Sequence, residues 1–232
     1  IGLFFEEGLM CNVTFNYILN CNAAIDLRNT NGAGTGGEGV IAFNTINTSE
    51  AAPTTRIAVN WTSGLGTLRF YGNTVQSFGY GLNVSLISGQ TTAALLCQSN
   101  AFESNPTIAI NLSLPAASTA TMQTALIHNN RVRLGSTGAC VVIIGTTNVA
   151  WGRDILLTGN DFEFGAINAI NIQAGSTLTE DHNHYRSSVT GLTALVTAAG
   201  NPVTGHLGSP AKNYVASTGT ITAWQLNGNG GF

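Results

Sequence analysis

Charge is what this chain has least of. Only 8% of its 232 residues are Asp, Glu, Lys or Arg, with eight Lys plus Arg and a net charge of −3. Nothing here forms the basic stripe that a phosphate backbone requires, so nucleic acid is not an expected partner. No apolar run approaches the length that spans a bilayer, so membrane insertion is not expected. The four cysteines include no close metal-ligand pair, and no histidine stands at zinc spacing from them, so neither metal nor cofactor is expected. Cys11, Cys97 and Cys140 fall among apolar positions and Cys21 lies near a turn; all four read as reduced thiols. The lack of a disulfide framework fits a particle protein assembled in the cytoplasm better than a small secreted domain. The opening IGLFFEEG shows no initiator Met, basic start or cleavage-site pattern. Its Ile1, Leu3 and Phe5 alternate as Ile25 and Leu27 do, so the chain is expected to be a fragment preceded by further coils or a mounting domain.

What the chain does contain is a periodic asparagine. With 44% apolar residues and 28 glycines, the composition argues against disorder. The segments VTFNYI, IAFNTI, LRFYGNTV, LLCQSNAF, ALIHNNRV, ILLTGNDF and LTEDHNHY centre on Asn16, Asn44, Asn73, Asn100, Asn130, Asn160 and Asn183. Successive anchors are 28, 29, 27, 30, 30 and 23 residues apart. Three residues before the anchors stand Val13, Ile41, Phe70, Cys97, Ile127 and Leu157. Two residues after them stand Ile18, Ile46, Val75, Phe102, Val132, Phe162 and Tyr185. A further strand in each repeat supplies Ile25/Leu27, Ile57/Val59, Leu82/Val84, Ile110/Leu112, Cys140/Val142 and Ile170/Ile172. Side chains alternate across a strand, so these columns are expected to face one shared core. A repeat of about 28 residues carrying short alternating strands signals stacked β coils. The anchor Asn is expected to occupy the bend itself, because Asn tolerates the left-handed region, and to bond to its neighbours from coil to coil.

This pattern resembles the right-handed parallel β-helix of the pectin-lyase-like superfamily, over roughly Cys11 to Val196. The resemblance implies an all-β chain: a right-handed single-stranded parallel β-helix of about seven coils over residues 1–196, closed by a small β-rich C-terminal cap or trimerisation tail at 197–232. A strand at Thr220 to Leu226 with Trp224 as a buried anchor is expected in that tail. Pectinases, polysaccharide lyases, adhesins and bacteriophage tailspikes all share the fold, so it implies no single activity. The paired-Asp, Gly-His-Gly and Arg-x-Lys motifs of polygalacturonases are absent, as is the Asp cluster of calcium-dependent pectate lyases.

Four groups of residues are candidates for function. Val40, Leu96, Leu126 and Leu156, four residues before their anchors, form an outward apolar stripe that Arg69 interrupts; such a stripe calls for a cover, and a homotrimer interface is expected. Glu103, Arg133, Glu163 and Arg186 alternate in sign from coil to coil, with Arg131, Asp161 and His184 beside them. These read as a ladder of surface ion pairs or as a sugar-binding patch. Asp161 and Glu163 are spaced so that a catalytic carboxylate pair remains open, although Arg neighbours disfavour a protonated acid. TEDHNHYR adds Asp181, His182 and His184 as acid–base candidates, with Glu180 in a normally apolar column marking the end of the helix. Asn83, Asn111 and Asn171 form an outward polar row, solvent-facing or sugar-binding. Asn29 to Gly39 is a glycine-rich loop without the Lys of a phosphate cradle. The five Asn-x-Ser/Thr triplets, at Asn12, Asn47, Asn60, Asn83 and Asn111, follow from composition.

The expected function is a structural and host-receptor-binding part of a bacteriophage tailspike or tail fibre. It would be a homotrimer joined to other virion tail proteins, meeting bacterial surface glycan, and located on the virion or outside the cell. A polysaccharide-degrading enzyme is the alternative, and a surface adhesin a third reading.

Overall fold

A computed structural model describes residues 2–6, 10–28, 38–49, 54–62, 66–86, 91–104, 107–113, 121–133, 139–144, 151–164, 170–172, 176–187, 195–197 and 203–206. Among them every regular element is a strand and every pairing is parallel. The strands sort by their place relative to the anchor. The leading sheet comprises Met10–Thr14, Glu38–Ala42, Thr67–Tyr71, Thr91–Gln98, Thr121–His128, Trp151–Thr158, Ser176–Asp181 and Val203–His206. Just past the anchors, Tyr17–Leu19, Thr45–Asn47, Thr74–Gln76, Ala101–Glu103, Arg131–Arg133, Asp161–Phe164 and His184–Ser187 form the trailing sheet. The far sheet holds Leu3–Glu6, Ala23–Arg28, Ile57–Trp61, Tyr80–Ser85, Ile108–Ser113, Ala139–Ile144, Ile170–Ile172 and Leu195–Thr197. Each strand pairs with its counterpart one repeat on, so the chain is a parallel β-solenoid.

Alternation puts the core where the columns predict it. Val13, Ile41, Phe70, Cys97, Ile127 and Leu157 are buried, as are Ile46, Val75, Phe102, Val132 and Phe162. Leu3 and Phe5 pack against this core, in register with Ile25 and Leu27. Burial raises the Cys97 thiol far above its ordinary range and raises Cys11 as well, which leaves both as unreactive core thiols. The side chains of Tyr185, Cys140 and Glu180 lie outside the described residues.

Two columns of the far sheet correct the reading of the sequence. Val59 and Trp61, not Ile57 and Val59, stand in register with Ile25 and Leu27. Likewise Val141 and Ile143, not Cys140 and Val142, align with Ile110 and Leu112. In CVVII every residue is apolar, so the sequence gives no phase, and a one-residue slip exchanges the two faces. The phase also does not end at Val196, because Val203–His206 pairs with Ser176–Asp181 one strand further on. The strand expected at Thr220 to Leu226, and Trp224, lie outside the described residues.

The anchors from Asn44 to Asn183 are buried, Asn16 is exposed, and all seven are joined to one another. In Asn16, Asn44, Asn73, Asn100, Asn130 and Asn160, both the backbone N–H and the side-chain Nδ2 donate to Oδ1 of the next anchor, at 2.7–3.0 Å. From Asn44 onward, Nδ2 also donates to a carbonyl one coil back: Val13, Ile41, Phe70, Cys97, Ile127 and Leu157 in turn, at 2.8–2.9 Å. An amide side chain has two donor hydrogens and two acceptor lone pairs. An interior anchor such as Asn100 uses all four. Because a backbone N–H must meet an oxygen, this pattern also fixes which side-chain atom is Oδ1.

The bend itself belongs to a different residue. Phe15, Phe43, Gly72, Ser99, Asn129, Gly159 and His182, each immediately before an anchor, have φ between 51° and 65°. The expectation that the anchor occupies the left-handed position is therefore wrong by one residue. The anchor's side chain is aimed inward, where it bonds to the coils on either side.

Asn100→Ala would orphan the Asn73 N–H and the Phe70 carbonyl, each worth about 1–3 kcal/mol when buried, while Asn73 Nδ2 keeps the Ile41 and Tyr71 carbonyls. A loss of at least about 2 kcal/mol and a fall in Tm of roughly 4–8 °C are expected. Asn100→Asp, which has no side-chain donor, is expected to be at least as damaging at neutral pH. Urea and thermal unfolding of both variants check this.

Candidate functional site

The residues singled out from the sequence fall on three surfaces. Arg131, Asp161 and His184 stand in one register row of the trailing sheet, and Glu103, Arg133, Glu163 and Arg186 in the row two residues on. The solenoid thus brings together residues as far apart in sequence as Glu103 and Arg186. Arg133 Nε lies 3.5 Å from Glu163 Oε2, and His184 Nδ1 lies 3.2 Å from Asp161 Oδ1. All four side chains are about one-third to one-half exposed. Pairs in such surroundings contribute about 0–1 kcal/mol each, because water screens them and the side chains lose freedom.

His182 is exposed and sits in the bend column, at φ 51°. It belongs to the edge beside the charged rows, not to the rows themselves. The strand Ser176–Asp181 places Asp181 in register with Thr158. The side chains of Asp181 and Arg186 lie outside the described residues. The catalytic candidates therefore surround one corner of the solenoid, on strands open to water on their outer face. Among the described residues no group of three His, Cys, Asp or Glu side chains is arranged to hold a metal ion.

The second surface is the outer row of the far sheet. Asn83 and Asn111 are in register, and the row extends back through Asn60 to Asp26. It too is hydrogen-bonded: Asn60 Nδ2 donates to Asp26 Oδ1 at 2.9 Å, Asn83 Nδ2 to Asn60 Oδ1 at 2.8 Å, and Asn111 Nδ2 to Asn83 Oδ1 at 2.7 Å. Arg28 forms an ion pair with Asp26 and lies over the Phe4 ring, 5.6 Å from its centroid. Asn111 and Asp26 are buried and Asn60 and Asn83 half-buried, so the expectation of a solvent-facing polar row is corrected to a second, largely covered ladder. Asn111 is in register with Val142, which offers no side-chain donor, and its Oδ1 has no hydrogen-bond partner among the described residues. The backbone of Asn171 continues the row, but its side chain lies outside the described residues.

The third surface is the apolar stripe. Val40, Arg69, Leu96, Leu126 and Leu156 are in register along the outside of the leading sheet. The four apolar members are half-buried, while Leu95, Cys97, Ala125, Ile127, Ile155 and Leu157 beside them face the core. Arg69 is half-exposed and lies 3.5 Å from Glu38.

One surface was not found from the sequence. Phe15, Tyr17 and Phe43 are exposed beside the first two anchors, and the Phe43 ring meets Tyr71. The available signal was the repeated Phe-Asn pair at Phe15–Asn16 and Phe43–Asn44, which periodicity alone would assign to a turn.

No family model, curated protein or solved structure matches the chain. The architecture defines it as a parallel β-solenoid protein.

If the charged rows only hold register, Arg133→Ala and Glu163→Gln should each change unfolding free energy by no more than about 1 kcal/mol. Circular-dichroism melts in low and high salt measure this, and any difference from wild type should shrink as salt rises.

Proposed function

We propose that the chain is a host-recognition segment of a bacteriophage tailspike or tail fibre, which meets a bacterial surface polysaccharide along the flank of its solenoid. The observation that carries this reading is the charged corner: Arg131, Arg133, Asp161, Glu163 and His184 lie in register on exposed trailing-sheet strands. Such a surface suits a long, repetitive ligand, because coil-to-coil register presents groups of alternating charge at regular intervals of about 4.8 Å. Glu103 and Arg186 extend it. Asn83 and Asn111 are not part of this contact set, since their amides are committed to the buried ladder.

The chain would act as a homotrimer, with Leu96, Leu126 and Leu156 supplying the apolar part of the contact and Val40 beyond Arg69 extending it. Attachment to other tail proteins and a location on the virion or outside the cell belong to the same reading. Hydrolysis by Asp161, Glu163, Asp181, His182 and His184 is the second reading. The Arg133 and His184 contacts instead engage Glu163 and Asp161 in surface pairs of the kind that hold register.

Light scattering on the purified chain tests the assembly. A trimer near three times 24.1 kDa is expected, and Leu126→Glu with Leu156→Glu should reduce it to monomer while leaving the β-sheet spectrum intact. A wild-type monomer would contradict the assembly. Incubation with purified bacterial capsular and O-antigen polysaccharides tests the activity. Retention without shortening of the chains is expected, whereas shortening that is lost in Asp161→Asn or Glu163→Gln would favour the enzyme.

A further inference from the structure

The side chains of the charged corner are not equally engaged. Arg133 meets Glu163, and His184 meets Asp161. Elsewhere Arg28 and Arg69 meet Asp26 and Glu38, and Arg56 donates to the Thr48 hydroxyl at 3.1 Å. Arg131 differs from all of these. Its side chain is exposed and makes no hydrogen bond or ion pair among the described residues. The same is true of the side chains of Gln98, Glu103 and Asn129. These four residues stand on two adjacent interior coils, with the strands Thr74–Gln76 and Asp161–Phe164 on either side.

The neighbours of Arg131 explain why it is left over. One coil back in its row stands Ala101, and behind that Thr74, neither of which carries charge. One coil on stands Asp161, whose Oδ1 lies 3.2 Å from His184 Nδ1. Arg131 therefore has short side chains on one side and an engaged carboxylate on the other. Across the bend, Asn129 is exposed at φ 51°, and its Oδ1 lies over Gly159, 2.4 Å from where a Cβ would fall. Gln98, also exposed, stands beside His128 on the leading sheet. Exposed side chains without partners add little to a fold. Stability accounts for the paired charges of the corner and not for this group.

We infer that Arg131 receives the carboxylate of an acidic sugar unit, while the amides of Asn129 and Gln98 meet hydroxyls of the same chain. The inference rests on the glycan-surface reading above and names the class of polysaccharide: one with isolated carboxylates along an otherwise neutral chain. A guanidinium presents a planar fork of N–H donors that matches a carboxylate. Side-chain amides both donate and accept, as sugar hydroxyls do. Glu103, Asp161 and Glu163 decide against a denser anion. They lie on the strands either side of Arg131 and would repel a polysulfate or polyphosphate. A wholly neutral chain would leave the guanidinium unmatched. A carboxylate on every few sugar units satisfies both constraints.

A panel of purified bacterial capsular and O-antigen polysaccharides that contain hexuronic acid tests this on the full chain. Each is used in its native form and after reduction of its carboxyl groups to primary alcohols. The wild type should bind a native polysaccharide of the panel and bind its reduced form at least about tenfold more weakly, the size of effect expected for losing a charge-assisted hydrogen-bonded pair. Arg131→Ala should lose a similar factor on the native form and little more on the reduced one. Because Arg131 has no side-chain partner among the described residues, this variant should melt within about 2 °C of wild type. Equal wild-type binding of native and reduced forms would overturn the carboxylate assignment and leave the flank reading standing. So would an Arg131→Ala variant that keeps the full preference for the native form. A wild-type chain that binds no polysaccharide of the panel in either form would overturn both.

Discussion

Each buried anchor asparagine between Asn44 and Asn160 holds three coils at once. Its Oδ1 accepts from the anchor behind, and its Nδ2 reaches both the anchor ahead and a carbonyl one coil back. The rest of the solenoid depends on this arrangement. A sharp bend between two parallel sheets leaves backbone groups pointing into the core, and buried polar groups must be paired. Backbone contacts across the bend complete the pairing, with Thr74, Ala101, Arg131, Asp161 and His184 donating to the anchor carbonyls one coil back. A one-residue slip of any coil would break both sets of bonds and turn the core column to solvent. The anchor thereby fixes register as well as satisfying the bend.

This placement of stability has a consequence for the surface. The core columns and the two amide ladders hold the coils together from within, and the exposed corner contributes little to the fold. The Arg133–Glu163 and Asp161–His184 pairs therefore add little to the stability of the fold. A solenoid of this kind presents a regularly spaced face along its stacked strands. Such a face suits an extended polymer better than a small molecule, which ordinarily binds in a concave site.

Much of the architecture was legible because its physical causes leave periodic marks. Seven asparagines at near-constant spacing, with apolar residues three before and two after, identified the leading and trailing sheets. The charged rows followed from the same phase, since Glu103, Arg133 and Glu163 keep a fixed offset from their anchors. Legibility failed where a segment carries no internal phase. CVVII is uniformly apolar, and only its neighbours decide that Val141 and Ile143 align with Ile110 and Leu112. The bend residue was misassigned because Asn suits both a left-handed bend and a buried amide ladder; the neighbouring column of Phe, Gly, Ser, Asn and His shares no chemistry that marks it. Asn60 was missed as a member of the second ladder because a longer connection places it 16 residues after its anchor, against 10 for Asn83 and 11 for Asn111. Asp26, although 10 residues after Asn16, is a carboxylate in a row of amides. The aromatic rungs were hidden because a Phe beside an Asn reads as local turn chemistry until the coils are stacked.

The claim that the asparagine ladder is the element on which the solenoid depends is tested most directly by amide hydrogen exchange, read residue by residue. The backbone N–H groups of Asn44, Asn73, Asn100 and Asn130 are each buried and bonded to the next anchor's side chain. They should exchange only through global unfolding, with protection matching the full stability of the domain. Exchange at these four positions well before the core strands, at the rate of locally opening segments, would contradict the account.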